Sequence, residues 1–227
     1  MSESNYYSKY LKYKNKYLEL KKTQIQIGGL NNQQIFAEKI GVDYNKLIIT
    51  DEGKYSITKK HDGYKILNIM KKILKTTNDK IITDLTGCVG GDTILFGLNF
   101  KKTYSIEYNK KNYNALENNI KTYDLKNVKL FFGDSTKIYN WYTDVLYFDP
   151  PWGGINYKDE DKIDLYLGDI RIDEFIKEIL DRDNRPKYIF IKLPRNYNFG
   201  RLYSLKKYNK IKIVNYTIRG YNIIFIK

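Results

Sequence analysis

From Ile81 to the C-terminus, short apolar runs alternate with amphipathic segments, and this alternation predicts strands separated by helices. Strands are predicted over residues 81–85, 103–108, 128–132, 145–148 and 188–193. One helix is predicted to begin at Thr93, and two more are predicted over residues 110–123 and 171–180. The segments 210–217 and 221–226 predict a closing antiparallel hairpin. The pattern therefore predicts a Rossmann-like α/β domain over residues 81–227, with a seven-stranded, mostly parallel sheet.

The first 29 residues have a different pattern, with one tyrosine-rich face and lysines elsewhere. That face consists of Tyr6, Tyr10, Tyr13, Tyr17 and Leu20, which are spaced as on a helix. Six lysines against two glutamates give the segment a charge of +4, and Gly28-Gly29 ends it. We predict a basic helical arm over residues 1–29. It resembles N-terminal segments of many proteins of giant DNA viruses of the mimivirus group.

Residues 30–80 form a predicted helical lead-in between this arm and the sheet. A turn at Asp51-Glu52-Gly53 precedes an amphipathic run from Ile66 to Leu74. Ser56 or Thr58 is a suitable N-cap for this helix, because a hydroxyl can accept from the first free backbone N–H groups.

The composition indicates one intracellular domain with a polyanionic partner. The chain has 227 residues and a net charge of +14, and such a charge favours binding to nucleic acid. Codon bias in an A+T-rich genome would also enrich lysine, so the distribution of charge is more informative than its total. Residues 193–227 contain eight basic residues and no acidic one. This region and the N-terminal arm are therefore candidates for contact with RNA, although a solvated or partner-docking arm is equally compatible with the pattern.

The chain has one cysteine, Cys88, and one histidine, His61. We therefore expect no intramolecular disulfide, a reducing compartment and no metal site. No long apolar segment predicts a signal peptide or a membrane span. We expect an intracellular protein; its oligomeric state is not encoded in any pattern, and a monomer is the simplest expectation.

Asp149-Pro150-Pro151-Trp152 follows the apolar run 145–148 and is the strongest candidate for chemistry. The prolines fix the backbone and lack N–H donors, so nearby carbonyls can accept hydrogen bonds from an amine. Asp149 can accept the other amine hydrogen, and Trp152 can stack on the base that carries it. Methyltransferases that alkylate exocyclic amines have such a loop. An ordinary proline turn after a strand is the alternative.

Acidic residues come at or just after the ends of four predicted strands, and each has a possible role with S-adenosylmethionine. Asp84 can bind the methionine ammonium group, Glu107 the ribose hydroxyls and Asp134 the adenine amine. The fourth acidic residue is Asp149. The glycine loop over residues 87–91, which includes Gly90, lets the backbone approach the cofactor closely. Any one of these acids alone can be a helix cap, and the chain has neither the G-x-G-x-x-G nor the P-loop pattern.

Two motifs, P-P-W-G-G at 150–154 and L-P-R-N at 193–196, resemble the trimethylguanosine synthase family. The resemblance runs from about Asp51 to the C-terminus. Weaker matches are Ser56-x-Thr58, Val89-Gly90-Gly91, Asn118-Asn119 and Gly133-Asp134. The resemblance implies a class I methyltransferase fold and methylation of the 2-amino group of a 7-methylguanosine RNA cap, with S-adenosylmethionine as cofactor.

By the same resemblance, the site residues have assigned roles. Trp152 would stack on the cap base, Asn119 would hold the guanine edge and Arg195 would bind the cap phosphates. Ser56 and Thr58 would line the cofactor pocket. A core tryptophan, a solvated helix asparagine and a surface arginine are the plain alternatives. We expect Asp149, Pro150 and Trp152 to be the catalytic group.

The sequence departs from the family at several of these positions. The family loop D-x-F-C-G-x-G-G-N is replaced by residues 84–92, which read DLTGCVGGD, so that Cys88 stands at a glycine position and Thr86 at the aromatic. Asp149 stands where the family has Ser or Asn.

Two other functions are compatible with the motifs. One is an adenine or guanine amino-methyltransferase acting within DNA or ribosomal RNA, with the 155–170 loop as its recognition element. The other is a non-catalytic cap- or RNA-binding module. If the viral resemblance holds, a cytoplasmic replication site is the expected location.

Overall fold

The computed structural model describes residues 31–209, 211–218 and 220–227, and the predicted arm at residues 1–29 lies outside them. The described chain contains nine strands: β1 Ile81–Asp84, β2 Lys102–Glu107, β3 Val128–Phe132, β4 Val145–Phe148, β5 Tyr166–Leu167, β6 Ile170–Arg171, β7 Tyr188–Pro194, β8 Ile213–Ile218 and β9 Tyr221–Ile226. Seven of them form one sheet in the order β3-β2-β1-β4-β7-β9-β8, and β5 and β6 form a separate small hairpin.

The large sheet is parallel from β3 to β7, whereas β9 pairs antiparallel with both β7 and β8. The chain moves outward from β1 to β3 and then returns to place β4 on the other side of β1. This change of direction leaves a crevice at the carboxyl ends of β1 and β4, which is where ligands bind in open α/β sheets. The Rossmann-like prediction is confirmed.

Helices cover both faces of the sheet. The described helices are α1 Asn32–Ile35, α2 Gly53–Ser56, α3 Lys60–Leu74, α4 Gly91–Asn99, α5 Lys110–Thr122, α6 Ser135–Ile138, α7 Ile172–Leu180, α8 Phe199–Ser204 and α9 Lys206–Asn209. Helices α3, α4 and α5 bury their apolar residues on one face, and α7 and α8 bury theirs on the other. Alternate residues of β4 therefore enter different cores: Tyr147 faces α4, and Phe148 faces α7.

The predicted strands match the observed ones to within one residue, except that β8 begins later, at Ile213. The predicted cap of the lead-in helix is wrong. Helix α3 begins at Lys60, its N-cap position is Lys59, and no side chain caps it. Thr58 is instead buried and donates to Asp92, so its hydroxyl connects the segment before α3 to helix α4. Among the described residues, no helix has the length and apolar character needed to span a bilayer. The predicted boundary at residue 80, between the helical lead-in and the α/β domain, stays a prediction.

Candidate active site

The loop after β4 is fixed at its first residue, Asp149, by contacts from two other elements. Its Oδ2 atom accepts from Lys192 Nζ of β7 at 2.7 Å. Its backbone N–H donates to Thr86 Oγ1 at 2.8 Å. The second carboxylate oxygen, Oδ1, is buried and has no hydrogen-bond partner among the described residues within bonding distance, although the Trp152 side chain acts on this carboxyl and lowers its pKa. Asp149 is therefore held in place while one of its acceptors stays available.

Lys192 is the centre of a buried polar network. Its Nζ also donates to Thr58 Oγ1 at 3.0 Å, and Thr58 donates onward to Asp92 Oδ2 at 2.7 Å. The Tyr147 hydroxyl donates to the same Asp92 oxygen at 2.9 Å. The network connects β4, β7, α4 and the segment that precedes α3.

Charges within this network shift each other's pKa values. Burial raises the pKa of Asp149 to about 6, although Lys192 opposes the shift. Burial also raises the pKa of Asp92, again against the effect of Lys192. For Lys192 burial disfavours the charged form, but the carboxylates of Asp149 and Asp92 outweigh it and keep its pKa above the usual value. Lys192 is therefore a fixed positive charge.

Several unsatisfied polar atoms surround this lysine. The described residues include five buried side-chain polar atoms without a hydrogen-bond partner, and four of them belong to Asp92, Asp149, Trp152 and Tyr221. Lys192 Nζ lies 5.4 Å from the Trp152 ring centroid and 5.3 Å from that of Tyr221. Buried polar groups are normally paired, so this concentration marks a site for a polar ligand.

Trp152 is partly buried, and its ring meets the Tyr157 ring edge-on, with centroids 5.1 Å apart. Pro150 is buried before it, whereas Pro151, Gly153 and Gly154 are exposed. Trp152 packs against both core clusters of the sheet, so it borders the core while keeping an accessible part.

The second motif holds the loop that contains Tyr157. Asn196 Nδ2 donates to the carbonyl oxygens of Tyr157 at 2.6 Å and Glu160 at 2.8 Å. Arg195 is exposed and has no ion pair or hydrogen bond to the described residues, so its guanidinium is available to a ligand.

A second group of acids surrounds the glycine loop after β1. Asp84 accepts from the Thr86 N–H at 3.1 Å and from the Thr93 hydroxyl at 2.6 Å, and burial raises its pKa to about 7. Glu107 accepts from the backbone N–H groups of Cys88 at 2.8 Å and Asn109 at 2.7 Å, and burial raises its pKa. Both carboxylates thus stabilise the loop itself.

The backbone of the glycine loop is left-handed at two positions. Gly90 has φ +102° and Cys88 has φ +49°, so the position where the family pattern has glycine does adopt a left-handed conformation. A Cβ atom on Gly87 would lie 2.4 Å from Ser105 Oγ, and one on Gly91 would lie 2.6 Å from the Thr58 carbonyl oxygen. The loop is therefore packed closely on both sides.

Asp134 follows β3 and caps the short helix α6, because its Oδ1 accepts from the Thr136 N–H and hydroxyl at 3.0 and 2.7 Å. The turn between β5 and β6 lies over it: a Cβ on Gly168 would be 3.1 Å from Asp134 Oδ2. Ser56 is exposed at the end of α2, and Thr58 lies in the Lys192 network.

The predicted contact of Asn119 with guanine is wrong. Asn119 is fully buried, and its Nδ2 donates to the carbonyl oxygens of Ile48 and Val89 at 2.8 Å each. Its Oδ1 accepts from the Ile48 N–H at 2.8 Å. The amide therefore attaches the lead-in segment to the glycine loop and is occupied by backbone.

The comparison with known proteins identifies the family. The family model described as RNA cap guanine-N2 methyltransferase matches residues 79–226. The chain belongs to this family. It is 31% identical to an uncharacterized protein of Acanthamoeba polyphaga mimivirus over 201 residues, which cover 77% of this chain and 78% of the relative. It is also 26% identical to trimethylguanosine synthase of Saccharomyces cerevisiae, over 76% of this chain but only 55% of the yeast protein.

Solved structures agree on the fold of this cap guanine-N2 methyltransferase family member. A precorrin-6y methyltransferase from Geobacter metallireducens superposes with a TM-score of 0.59 at 12% identity, over 83% of this chain and 97% of that one. A Thermus thermophilus 16S rRNA guanine-N2 methyltransferase, solved with S-adenosylmethionine and guanosine, superposes with a TM-score of 0.57 at 14% identity, over 73% of this chain and 42% of that one. The protein is a class I S-adenosylmethionine-dependent methyltransferase.

The acidic character of the crevice fits this cofactor, which carries a sulfonium and an ammonium group. Asp84, Asp92, Glu107 and Asp149 all have raised pKa values, with burial the largest cause for each. A bound cation would stabilise the carboxylates.

Lys192, Asp92 and Tyr157 were not predicted from the sequence. The signal for Lys192 was present, since a lysine within the apolar strand 188–193 is buried only when it is paired. Asp92 follows the glycine loop directly in sequence, and Tyr157 lies in a loop without periodicity, so neither position shows its partners.

Proposed function

We propose that this protein transfers a methyl group from S-adenosylmethionine to the exocyclic 2-amino group of 7-methylguanosine in an RNA cap. The observation that carries the proposal is the loop after β4, where the unpartnered Asp149 Oδ1 lies in the same network as a partly accessible Trp152. The family membership and the yeast relative support the choice of substrate.

The cap base would stack on Trp152. The 7-methyl group gives guanine a positive charge, so an indole face attracts it by a cation–π interaction in addition to stacking. Neutral guanine lacks the first of these. The 7-methyl group is therefore required before the 2-amino group is methylated.

Asp149 Oδ1 would accept a hydrogen bond from the 2-amine, and carbonyl groups near Pro150 would accept the other. These bonds favour a pyramidal nitrogen as its lone pair leaves conjugation with the ring. When bound, S-adenosylmethionine would supply an electrophilic methyl group and leave as S-adenosylhomocysteine. Alignment of the amine is the main contribution of the protein, and it can account for roughly 7–11 kcal/mol of the barrier.

No dedicated general base is needed. The methylated nitrogen becomes acidic once its lone pair is used, so its proton can leave to water or to Asp149. Lys192 cannot take this proton, because the neighbouring carboxylates keep its pKa high.

The cofactor would be held by the acids at the strand ends and the glycine loop. We assign Asp84 to the methionine ammonium group, Glu107 to the ribose hydroxyls and Asp134 to the adenine amine. Gly90 gives backbone access, and Ser56 and Thr58 line the pocket. Asp84 is completely buried, so it would act on the ammonium group through a bridging water, whereas Glu107 is 8% exposed and keeps lone pairs for the ribose hydroxyls.

Arg195 would bind the cap phosphates, and the absence of an ion pair or hydrogen bond between it and the described residues supports this role. We propose capped RNA as the partner of a monomeric enzyme. The mimivirus relative supports a viral origin, for which a cytoplasmic replication site is the proposed location.

A guanine or adenine amino-methyltransferase that acts within a polymer is the competing function. Such an enzyme extracts its base from a duplex or folded RNA and needs the surrounding polymer. Free cap dinucleotide therefore separates the two functions. A non-catalytic module would transfer no methyl group to either substrate.

The proposal is tested by the position of the new methyl group. Cap dinucleotide is incubated with the enzyme and labelled S-adenosylmethionine, and the product is analysed by mass spectrometry and NMR. The expected result is label on N2 of the 7-methylguanine. The variant Trp152→Phe tests the stacking role. Trp141→Phe is its matched control, because Trp141 stacks on Phe131 on another part of the sheet. Label only in polymeric RNA or DNA contradicts the proposal.

A further inference from the structure

We propose that Lys192 is a positioning residue for methyl transfer: it holds one carboxylate oxygen of Asp149, so that the other faces the substrate amine. The inference rests on the proposed function in so far as Asp149 receives an amine. It adds a residue from the centre of β7 to a site otherwise built from loops.

The geometry gives Lys192 control over the orientation of the Asp149 carboxylate. Nζ donates to Asp149 Oδ2 at 2.7 Å and to Thr58 Oγ1 at 3.0 Å, and the lysine side chain is 10% exposed. Since Thr58 is itself bonded to Asp92, the ammonium group cannot move toward Oδ1 without breaking both contacts. One carboxylate oxygen is therefore held by the lysine and the other is left for the amine.

The strand supplies precision that the loop alone lacks. β7 pairs with β4 as far as Ile191, and Lys192 itself pairs with Ile223 of β9, so the Cα of Lys192 is fixed within the sheet. Asp149, by contrast, follows the last residue of β4 and has no ladder partner of its own. A buried ion pair to a central strand thus fixes the end of the loop.

Lys192 also lies close to Trp152, the proposed stacking residue. Its Nζ lies 5.4 Å from the Trp152 ring centroid, so one ammonium group contacts both the proposed amine acceptor and the proposed base platform. A lone ammonium group would repel a cationic 7-methylguanine at this ring. The adjacent Asp149 carboxylate neutralises that charge, so the pair can coexist with the cation.

An ion pair without a catalytic role is the competing explanation. Removing one member of any buried pair leaves a charge unpaired and destabilises the fold, so loss of activity in a single variant is not diagnostic. The pH dependence and a neutral double variant are diagnostic, because they report on Asp149 itself.

The groups that face Asp149 define what can titrate with it. They are Lys192 of β7, Asp92 of α4, Cys88 of the glycine loop, Tyr147 of β4, Tyr157 of the following loop and Tyr221 of β9. The thiol and the phenols have pKa values above their ordinary range, mainly because of burial, and stay neutral. Among the described residues, Asp92 is the acid whose charge acts on Asp149, and Asp92→Asn controls for it.

The experiment measures kcat and KM for 7-methyl-GTP against pH in the full-length protein, with saturating S-adenosylmethionine. The variants are Lys192→Met, Lys192→Arg, Asp149→Asn, Asp92→Asn and the double variant Lys192→Met with Asp149→Asn. A thermal melt is recorded for each, so that unfolding is separated from altered catalysis.

In Lys192→Met the acidic limb of the profile is expected to move up by about one to three pH units, because an opposite charge at this distance shifts a carboxyl pKa by that amount. Its kcat is expected to fall about tenfold or more with a smaller change in KM, as for a lost alignment in the transition state. Lys192→Arg is expected to keep the limb. The double variant removes this limb and recovers part of kcat, because an Asn oxygen can still accept the amine.

An unchanged limb and kcat in Lys192→Met would overturn the inference. A double variant that restores the melting temperature but keeps the wild-type limb would overturn it as well. If the wild type transfers nothing to the cap analogue, the proposed function fails, and the inference is then judged from the Asp149 carboxyl pKa, measured by carbon NMR. Equal pKa values in the wild type and in Lys192→Met would overturn it on that measurement.

Discussion

Asn196 Nδ2 donates to the Tyr157 carbonyl at 2.6 Å, which connects the L-P-R-N motif after β7 to the loop that follows P-P-W-G-G. The Tyr157 ring in turn contacts the Trp152 ring edge-on at 5.1 Å. The two motifs are separated by about forty residues in sequence, yet one of them sets the backbone against which the other places its tryptophan.

Stacking on Trp152 predicts a fluorescence signal that can be assigned to one residue. The chain has two tryptophans, so Trp141→Phe leaves Trp152 as the only one, and Trp152→Phe leaves Trp141. Titration with 7-methyl-GTP is expected to quench emission strongly in Trp141→Phe and little in Trp152→Phe. Equal quenching in both variants would mean that the base binds elsewhere.

Cofactor binding is expected to release protons. Burial raises the pKa of Asp84 to about 7 and that of Asp149 to about 6, from an ordinary value of 3.8. A bound cation favours the carboxylates, so affinity for S-adenosylmethionine rises with pH up to about 7 and is then constant. Calorimetry in buffers with different ionisation enthalpies measures the released protons. Their absence below neutral pH would contradict the cationic-site description.

The same shifts predict how the free protein responds to pH. The unfolded carboxyls release their protons near pH 3.8, whereas the folded ones retain them to about 6 and 7. The stabilising contribution of these groups is therefore complete below pH 3.8 and is lost as the pH rises through 6 and 7.

Asn119→Leu is expected to destabilise the protein. The variant leaves the Ile48 N–H and the carbonyl groups of Ile48 and Val89 without their partner, and unsatisfied buried groups cost about 1–3 kcal/mol each, with partial relief from water. We expect a loss of about 2–4 kcal/mol in the free energy of unfolding. Asn114→Leu, an exposed position on the same helix, is the control. A stable Asn119→Leu variant that loses only cap affinity would instead support a contact between Asn119 and guanine.

Gly91→Ala is expected to disturb the glycine loop. The added Cβ would lie 2.6 Å from the Thr58 carbonyl oxygen and 2.7 Å from Ile57 Cγ1, and neither the backbone nor the buried isoleucine can move freely. Overpacking of this kind costs about 1–3 kcal/mol. Gly200→Ala is the control, since its nearest neighbour would be 3.7 Å away. Chemical denaturation and cofactor affinity are measured for both; equal effects would show that the loop tolerates the methyl group.

The sequence was sufficient for the fold because the relevant signals are local. Strands β3 and β4 have the predicted bounds, since each is a short apolar run between turn residues. The cap at Ser56 or Thr58 failed for a tertiary reason. Thr58 lies against the glycine loop, and its hydroxyl is bonded to Asp92 and Lys192, which are distant in sequence.

The sequence predicts those site residues whose role shows in the residue types beside them. Trp152 and Asp149 are recognisable from the residue types beside them. Asn119 was misassigned because an asparagine on an amphipathic helix gives no sign of which backbone it meets, and Ile48 reaches it from 71 residues away. The partnership of Lys192 with Asp149 depends on β4 and β7 being neighbours, which the order of strands along the chain does not state.

The most direct test of the central claim compares methyl transfer from labelled S-adenosylmethionine to 7-methyl-GTP, to GTP and to a duplex oligonucleotide, in the wild type and in Trp152→Ala. We predict transfer to 7-methyl-GTP alone, and its loss in the variant. Equal transfer to GTP would contradict the requirement for a charged base, and transfer only to the oligonucleotide would contradict the cap as substrate.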